Sequence, residues 1–213
     1  MFHPGFRGRA PLTLSLFGTA VASGTPGSLT LPASIIAGDL IVMVNSGRNN
    51  VGAAGDGTPT GFTDIFNVVT LNNCRVKGWY KIAAGTEGGT NPGGLNGGVE
   101  NDRMAWVFRG SRAIQSVSIQ SLNTEQTDNA PSGQTITSSG GAPPLVSIAS
   151  YRSSAAVTTR GFSPAADSEI TPSGNRLYGK HKIYNGAPAN ISVTQSDDGI
   201  SNTLCSFYAQ CLG

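Results

Sequence analysis

Between Ile35 and Gly110 the chain is a succession of apolar runs too short for helices and closed off by turn residues. The runs are Ile35-Ile36-Ala37-Gly38-Asp39-Leu40-Ile41-Val42-Met43-Val44, Pro59-Thr60-Gly61-Phe62-Thr63, Trp79-Tyr80-Lys81-Ile82-Ala83 and Met104-Ala105-Trp106-Val107-Phe108-Arg109-Gly110. Each has strand length, and Gly, Pro, Asn or Asp residues lie between them. This pattern predicts antiparallel β-structure with no need of a helix.

Along the whole chain it predicts strands at Leu12–Phe17, Ser28–Leu31, Asp39–Asn45, Phe62–Leu71, Cys74–Ala83 and Arg103–Arg109. Later strands are expected at Gln115–Ser121, Gln134–Thr137, Pro144–Tyr151, Arg176–Tyr184, Ile191–Gln195 and Thr203–Cys211. Asp56-Gly57, Asn72-Asn73, Asn91-Pro92-Gly93-Gly94 and Asn185-Gly186 mark turns between them. The expected class is all-β, an antiparallel β-sandwich or jelly-roll-like fold with an extended N-terminal arm.

The arm is residues 1–10, where Pro4, Gly5 and Gly8 break any regular element. An arm of this kind is held only by contact with its own domain or a neighbour, so Phe2, His3, Phe6, Arg7 and Arg9 are its candidate assembly contacts. Residues 11–213 are expected to form one β-sandwich domain, with room for a small β-lobe after about residue 138. Such a length buries a sizeable core without disulfides. Leu12, Leu14 and Leu16 alternate with Thr13 and Ser15, which suits a strand better than a signal peptide. The segments Gly85 to Asn101 and Ser138 to Ala142 read as surface loops.

Strand periodicity assigns faces. Cys205, Phe207, Ala209 and Cys211 form an inward apolar face, opposite Leu204, Ser206, Tyr208 and Gln210. In the Arg103–Arg109 strand both faces are apolar, which predicts a central strand buried on both sides. Cys205 and Cys211 are too far apart on one extended strand to bond each other, at ~20 Å between Cα atoms. Buried reduced thiols are expected, with at most one intramolecular disulfide through Cys74.

Only 12% of residues are charged and the net charge is +2, with Lys and Arg scattered. A nucleic-acid groove is not expected, nor is a membrane span, since no apolar run approaches ~20 residues. No catalytic set is expected either. His181 sits between Lys180 and Lys182 and reads as an exposed strand residue. Asp39 and Asp197-Asp198 read as turn residues. No Cys/His spacing suits zinc, no Asp-rich loop suits calcium, and the Gly-rich segments lack a P-loop lysine, so no cofactor or metal is expected. Trp79 and Tyr80 are candidate sugar contacts, because aromatic faces can cover the apolar faces of sugars. Against that, strand aromatics are more often core residues.

Four motifs carry a resemblance. They are Gly38-Asp39-Leu40-Ile41-Val42, Pro59-Thr60-Gly61-Phe62-Thr63, Trp79-Tyr80-Lys81-Ile82-Ala83 with Thr86-Glu87, and Ala105-Trp106-Val107-Phe108-Arg109-Gly110. In this order they resemble a family of small β-rich virion structural proteins of tailed bacteriophages, over about a third of the chain. Phe62 stands where that family often has Trp. The resemblance implies a virion location, on the capsid or tail surface, as a decoration, spike, collar or fibre-type subunit. It implies assembly and not catalysis, with other virion proteins and further copies of the chain as partners. A carbohydrate-binding or receptor-binding tail component, with a host-surface glycan as partner, is the second expectation. A hydrolase with paired carboxylates is the third.

Overall fold

The computed structural model describes residues 10–24, 28–48, 58–67, 74–93, 99–126, 134–136, 144–153, 157–172, 177–186, 190–197 and 202–213. These residues form strands and no helix. In chain order they are β1 (Leu14–Gly24), β2 (Leu40–Arg48), β3 (Thr63–Asn67), β4 (Cys74–Ile82), β5 (Val99–Gly110), β6 (Ser116–Gln126) and β7 (Gln134–Ile136). The rest are β8 (Leu145–Ser153), β9 (Val157–Ser163), β10 (Ser168–Ile170), β11 (Leu177–Tyr184), β12 (Ile191–Asp197) and β13 (Asn202–Leu212).

The first sheet has the order β1-β5-β2-β4-β3, and the second β10-β11-β8-β13-β6. All of their neighbouring strands are antiparallel. The two pack face to face as a β-sandwich. Leu40, Val42, Val44, Met104, Trp106 and Phe108 of the first sheet meet Val146, Ile148, Leu177, Cys205, Phe207 and Ala209 of the second. A third sheet, β7-β12-β9, covers the back of the second. Its Ile191 and Val193, with Phe162, pack on Leu145, Ala149, Tyr151, Leu204 and Tyr208.

This layering explains the strands that are apolar on both faces. In β5, Trp106 and Phe108 enter the sandwich core while Ala105 and Val107 enter a separate cluster on the outer face. The expectation for that strand is met. In β13, Cys205, Phe207, Ala209 and Cys211 face the sandwich core as expected. The opposite face is also buried, because Leu204 and Tyr208 lie under the third sheet. Cys205 and Cys211 are free thiols, and burial pushes the Cys211 thiol up to about 12.

Other differences have local causes. Residues 28–31 alternate exposed and buried like a strand, yet they are an irregular segment. Leu29 and Leu31 are pressed onto the outer face of the first sheet. β9 and β10 escape the sequence pattern because they are short or polar, with Gly161 inside the first and Glu169 inside the second. The chain after residue 138 is not a lobe apart, since β8, β11 and β13 build the second sheet of the main sandwich. The arm residues 1–9 and the Ser138 to Ala142 segment lie outside the described residues. Residue 10 is held, because Arg112 donates to its carbonyl and also to that of Gly213, at 3.3 Å.

Gly179 on β11 sets how closely the two main sheets approach. A Cβ there would lie 2.4 Å from the Trp106 ring and 2.5 Å from the Met104 sulfur. Trp106 and Met104 are both fully buried and have nowhere to retreat. Gly179→Ala is therefore expected to cost about 1–3 kcal/mol by overpacking, read as a lowered midpoint of denaturant unfolding. An unchanged midpoint would show that the sheets can separate freely at this point.

Candidate functional site

The four resembling motifs meet at one end of the outer face of the first sheet. The outer-face cluster there consists of Ile41, Met43, Trp79, Ala105 and Val107, covered by Leu29, Leu31 and Ile35. One irregular segment, residues 28–36, lies over it, with a second, residues 85–93, alongside. They pair with each other through Leu31 N–H to Thr90 O (2.9 Å) and Gly89 N–H to Pro32 O (3.3 Å). The Gly85 segment, expected to be a surface loop, is mostly exposed as far as residue 93 and braces the lid formed by residues 28–36.

Gly38 joins three of the pieces. Its N–H donates to Ala83 O (2.9 Å), and its carbonyl accepts from Ile114 N–H (3.0 Å). Its φ is +86°, and a Cβ would lie 2.5 Å from the Cβ of Ala113. Glycine is required here on both counts.

Asp39, next along, is more than a turn residue. It is 1% exposed. Arg109 grips its carboxylate with a two-pronged hydrogen bond, Nε to Oδ1 at 2.9 Å and Nη2 to Oδ2 at 2.7 Å. Oδ2 also accepts from Ile36 N–H at 3.0 Å. The same guanidinium donates to Ser34 O (2.9 Å) and lies 3.8 Å above the Phe17 ring. One arginine thus ties β5 to the turn before β2, to the lid and to β1.

Glu87 does the same for the segment that braces the lid. Oε1 accepts from Lys81 Nζ (2.7 Å) and Ala84 N–H (3.1 Å), and Oε2 from Gly85 N–H (2.9 Å) and Thr86 N–H (3.0 Å). Burial opposes its ionisation, but the Lys81 hydrogen bond and the backbone N–H groups outweigh it and hold the carboxyl at about 2. Lys81 also reaches toward Phe62, with Nζ 5.7 Å from the ring centroid. Beside this pair is an open cleft of about 210 Å³, lined by Thr60, Phe62, Lys81, Glu87, Asn91 and Pro92 among others. Both carboxylates have their oxygens committed to hydrogen bonds. Glu87 in particular is held too acidic to act as a general base near neutral pH. The chemistry of this region is that of fastening loops.

Trp79 and Tyr80 do not form a sugar platform. Neighbours on a strand point to opposite faces. Trp79 is 1% exposed beneath the lid, and Tyr80 packs against the sandwich core on the other side. His181, expected to be exposed, is buried on the inner face of β11. Its ring is 5.5 Å from that of Phe108, and Nδ1 is 3.2 Å from Ser168 Oγ. Burial lowers its pKa, Lys182 acts in the same direction, and Asp167 opposes. Phe2, His3, Phe6, Arg7 and Arg9 lie outside the described residues. Among the described residues no group of three or more His, Cys, Asp or Glu could hold a metal ion. The Asp39–Arg109 and Lys81–Glu87 pairs were missed by sequence reasoning. The available signal was an acid in the first motif, a lysine and an acid in the third and an arginine in the fourth, in a charge-poor chain.

Comparison with protein-family models, with curated proteins and with solved structures finds no match for this chain.

Two outcomes follow from this geometry. Asp39→Asn keeps the volume but removes the charge that holds Arg109. It is expected to cost about 2 kcal/mol in denaturant unfolding, and an unchanged midpoint would show the lid to be held by its apolar contacts alone. Glu87 has a folded value near 2 against an ordinary 4.5, so its contribution is complete above 4.5 and fades as the pH falls toward 2. Unfolding midpoints measured across that window should drop, and Glu87→Gln should flatten the drop.

Proposed function

We propose that this chain is a structural subunit of a tailed-bacteriophage virion, exposed on the capsid or tail surface and acting by assembly, with no catalytic role. The observation that carries this reading is the convergence of the four motifs. Dispersed from Gly38 to Gly110 in sequence, they interlock in space through Gly38 with Ala83, Asp39 with Arg109, and Lys81 with Phe62. The resemblance therefore rests on one cooperative unit of the fold and not on separate strand-like words.

The layered sandwich supports the same reading, because its large cores supply the rigidity that a packing subunit needs. Residues 1–10 are the proposed anchoring arm, contributing contacts to a neighbouring virion protein or to another copy. Arg112 ties the base of this arm at Ala10 to the carbonyl of Gly213, so the body would be held beside β13. The carbohydrate reading has no comparable support, since Trp79 is buried and Tyr80 lies on the opposite face.

Deleting residues 1–10 should leave a folded domain, judged by its unfolding midpoint, that no longer joins particles in a phage-complementation assay. Full incorporation of the deleted chain would remove the arm from the proposal. A wild-type chain that never appears in purified particles would remove the virion role itself.

A further inference from the structure

The sheets end in strands that are protected to different degrees. β3 is five residues long, carries Asp64 and is bulged between Asp64 and Phe66. β10 has three residues, and its Glu169 pairs with Arg160 and Lys180. β6 is long but polar along its exposed positions, and Ser121 contacts Ile65 of the first sheet. β1 differs from all of these. Its eleven residues, Leu-Ser-Leu-Phe-Gly-Thr-Ala-Val-Ala-Ser-Gly, include no charge and no proline. Charges, prolines and short length are the usual means of keeping an edge from pairing with another chain. Among the described residues, β1 has a bulge between Leu16 and Gly18 and the Asn185 amide across Leu14 at one end as its protection.

The phase of the β1 edge can be read from Leu14. Its N–H donates to Asn185 Oδ1 (2.6 Å), and its carbonyl accepts from Asn185 Nδ2 (2.9 Å). The backbone groups of Leu14 therefore point away from β5. Antiparallel ladders alternate, so every second residue counted along β5 faces a β1 residue of the same outward phase. Those β5 residues are Gly110, Phe108, Trp106 and Met104, opposite Leu14, Leu16, Thr19 and Val21. Among the described residues, β5 is the only strand that pairs with β1. Leu16 and Val21 are 37% and 47% exposed, two of the few large apolar side chains left open to solvent. Opposite Phe108 and Met104, they lie on the same face of the sheet.

We propose that β1 pairs antiparallel with β1 of a second copy of this chain, about a two-fold axis that sets Leu16 opposite Val21 of the other copy. In this register the outward-facing backbone groups of Leu16 meet those of Val21 in the other copy, on either side of the axis. Side chains directly opposite in a ladder share a face, so both Leu16–Val21 contacts form on one side. An uncharged strand meets itself without like-charge repulsion. Two five-stranded sheets become one continuous sheet, and the interface is isologous, as a two-fold requires. The inference stands apart from the virion reading, which it neither needs nor implies.

The test is the solution mass of the full chain by light scattering, over a range of concentrations. Wild type should have twice the monomer mass. Val21→Lys should return it to the monomer with an unchanged far-UV spectrum and unfolding midpoint. If that variant fails to fold, Thr19→Lys on the same outward phase replaces it, Thr19 being exposed. A wild-type monomer at every concentration overturns the proposal. So does a trimer or larger ring, or a dimer that survives the lysine substitution in a folded protein. A monomer that binds a strand of some other protein through β1 would likewise replace the second copy as occupant.

Discussion

The hold of Arg109 on the buried carboxylate of Asp39 is the constraint on which the outer half of the molecule depends. Among the described residues, no other sheet covers the apolar outer face of the first sheet. Irregular chain must cover it instead, and irregular chain lacks a ladder of its own to hold it flat. The guanidinium solves this with five donors in a fixed plane. Two take the carboxylate at the start of β2, another takes the Ser34 carbonyl of the lid, and the flat face rests on Phe17 of β1. Lys81 with Glu87 repeats the arrangement for the segment that braces the lid. Buried ion pairs add little net stability over apolar packing, but leaving one partner alone is costly. Such pairs choose one loop arrangement and exclude others.

The rest of the fold is a problem of covering faces. Three sheets and a lid bury both faces of β2, β5, β8 and β13, so these strands read as nearly continuous apolar runs. The close approach of the main sheets depends on Gly179 facing the edge of Trp106. Hydrogen bonds also join the second sheet to the third. Tyr151 donates to Gly161 O at 2.6 Å, and Gln195 donates to Arg152 O at 3.0 Å. The third sheet is fastened to the second by these contacts as well as by its apolar cluster.

Much of this architecture was legible in the residues. The strands β2, β4, β5, β8, β11 and β13 follow from apolar runs bounded by turn residues, and the doubly buried character of β5 follows from its composition. What misled the reading was alternation without a ladder. Residues 28–31 alternate because Leu29 and Leu31 plug a sheet from outside. Lysines beside a histidine suggested exposure for His181, yet a strand turns neighbours to opposite faces, and only the lysine face is open. The same geometry was available for Trp79 and Tyr80, whose adjacency alone places them on opposite sides of β4.

The sequence by itself determined the class of structure, most of its strands, and the need for glycine at turns. Those properties are local, set by backbone sterics and by a period of two. The tertiary structure alone decided which faces are covered twice, which charges meet and which strands end the sheets among the described residues. Asp39 finds Arg109 only because sheet order brings β2 and β5 side by side. Pairing of that kind depends on contacts distant in sequence, and no local pattern encodes the partner.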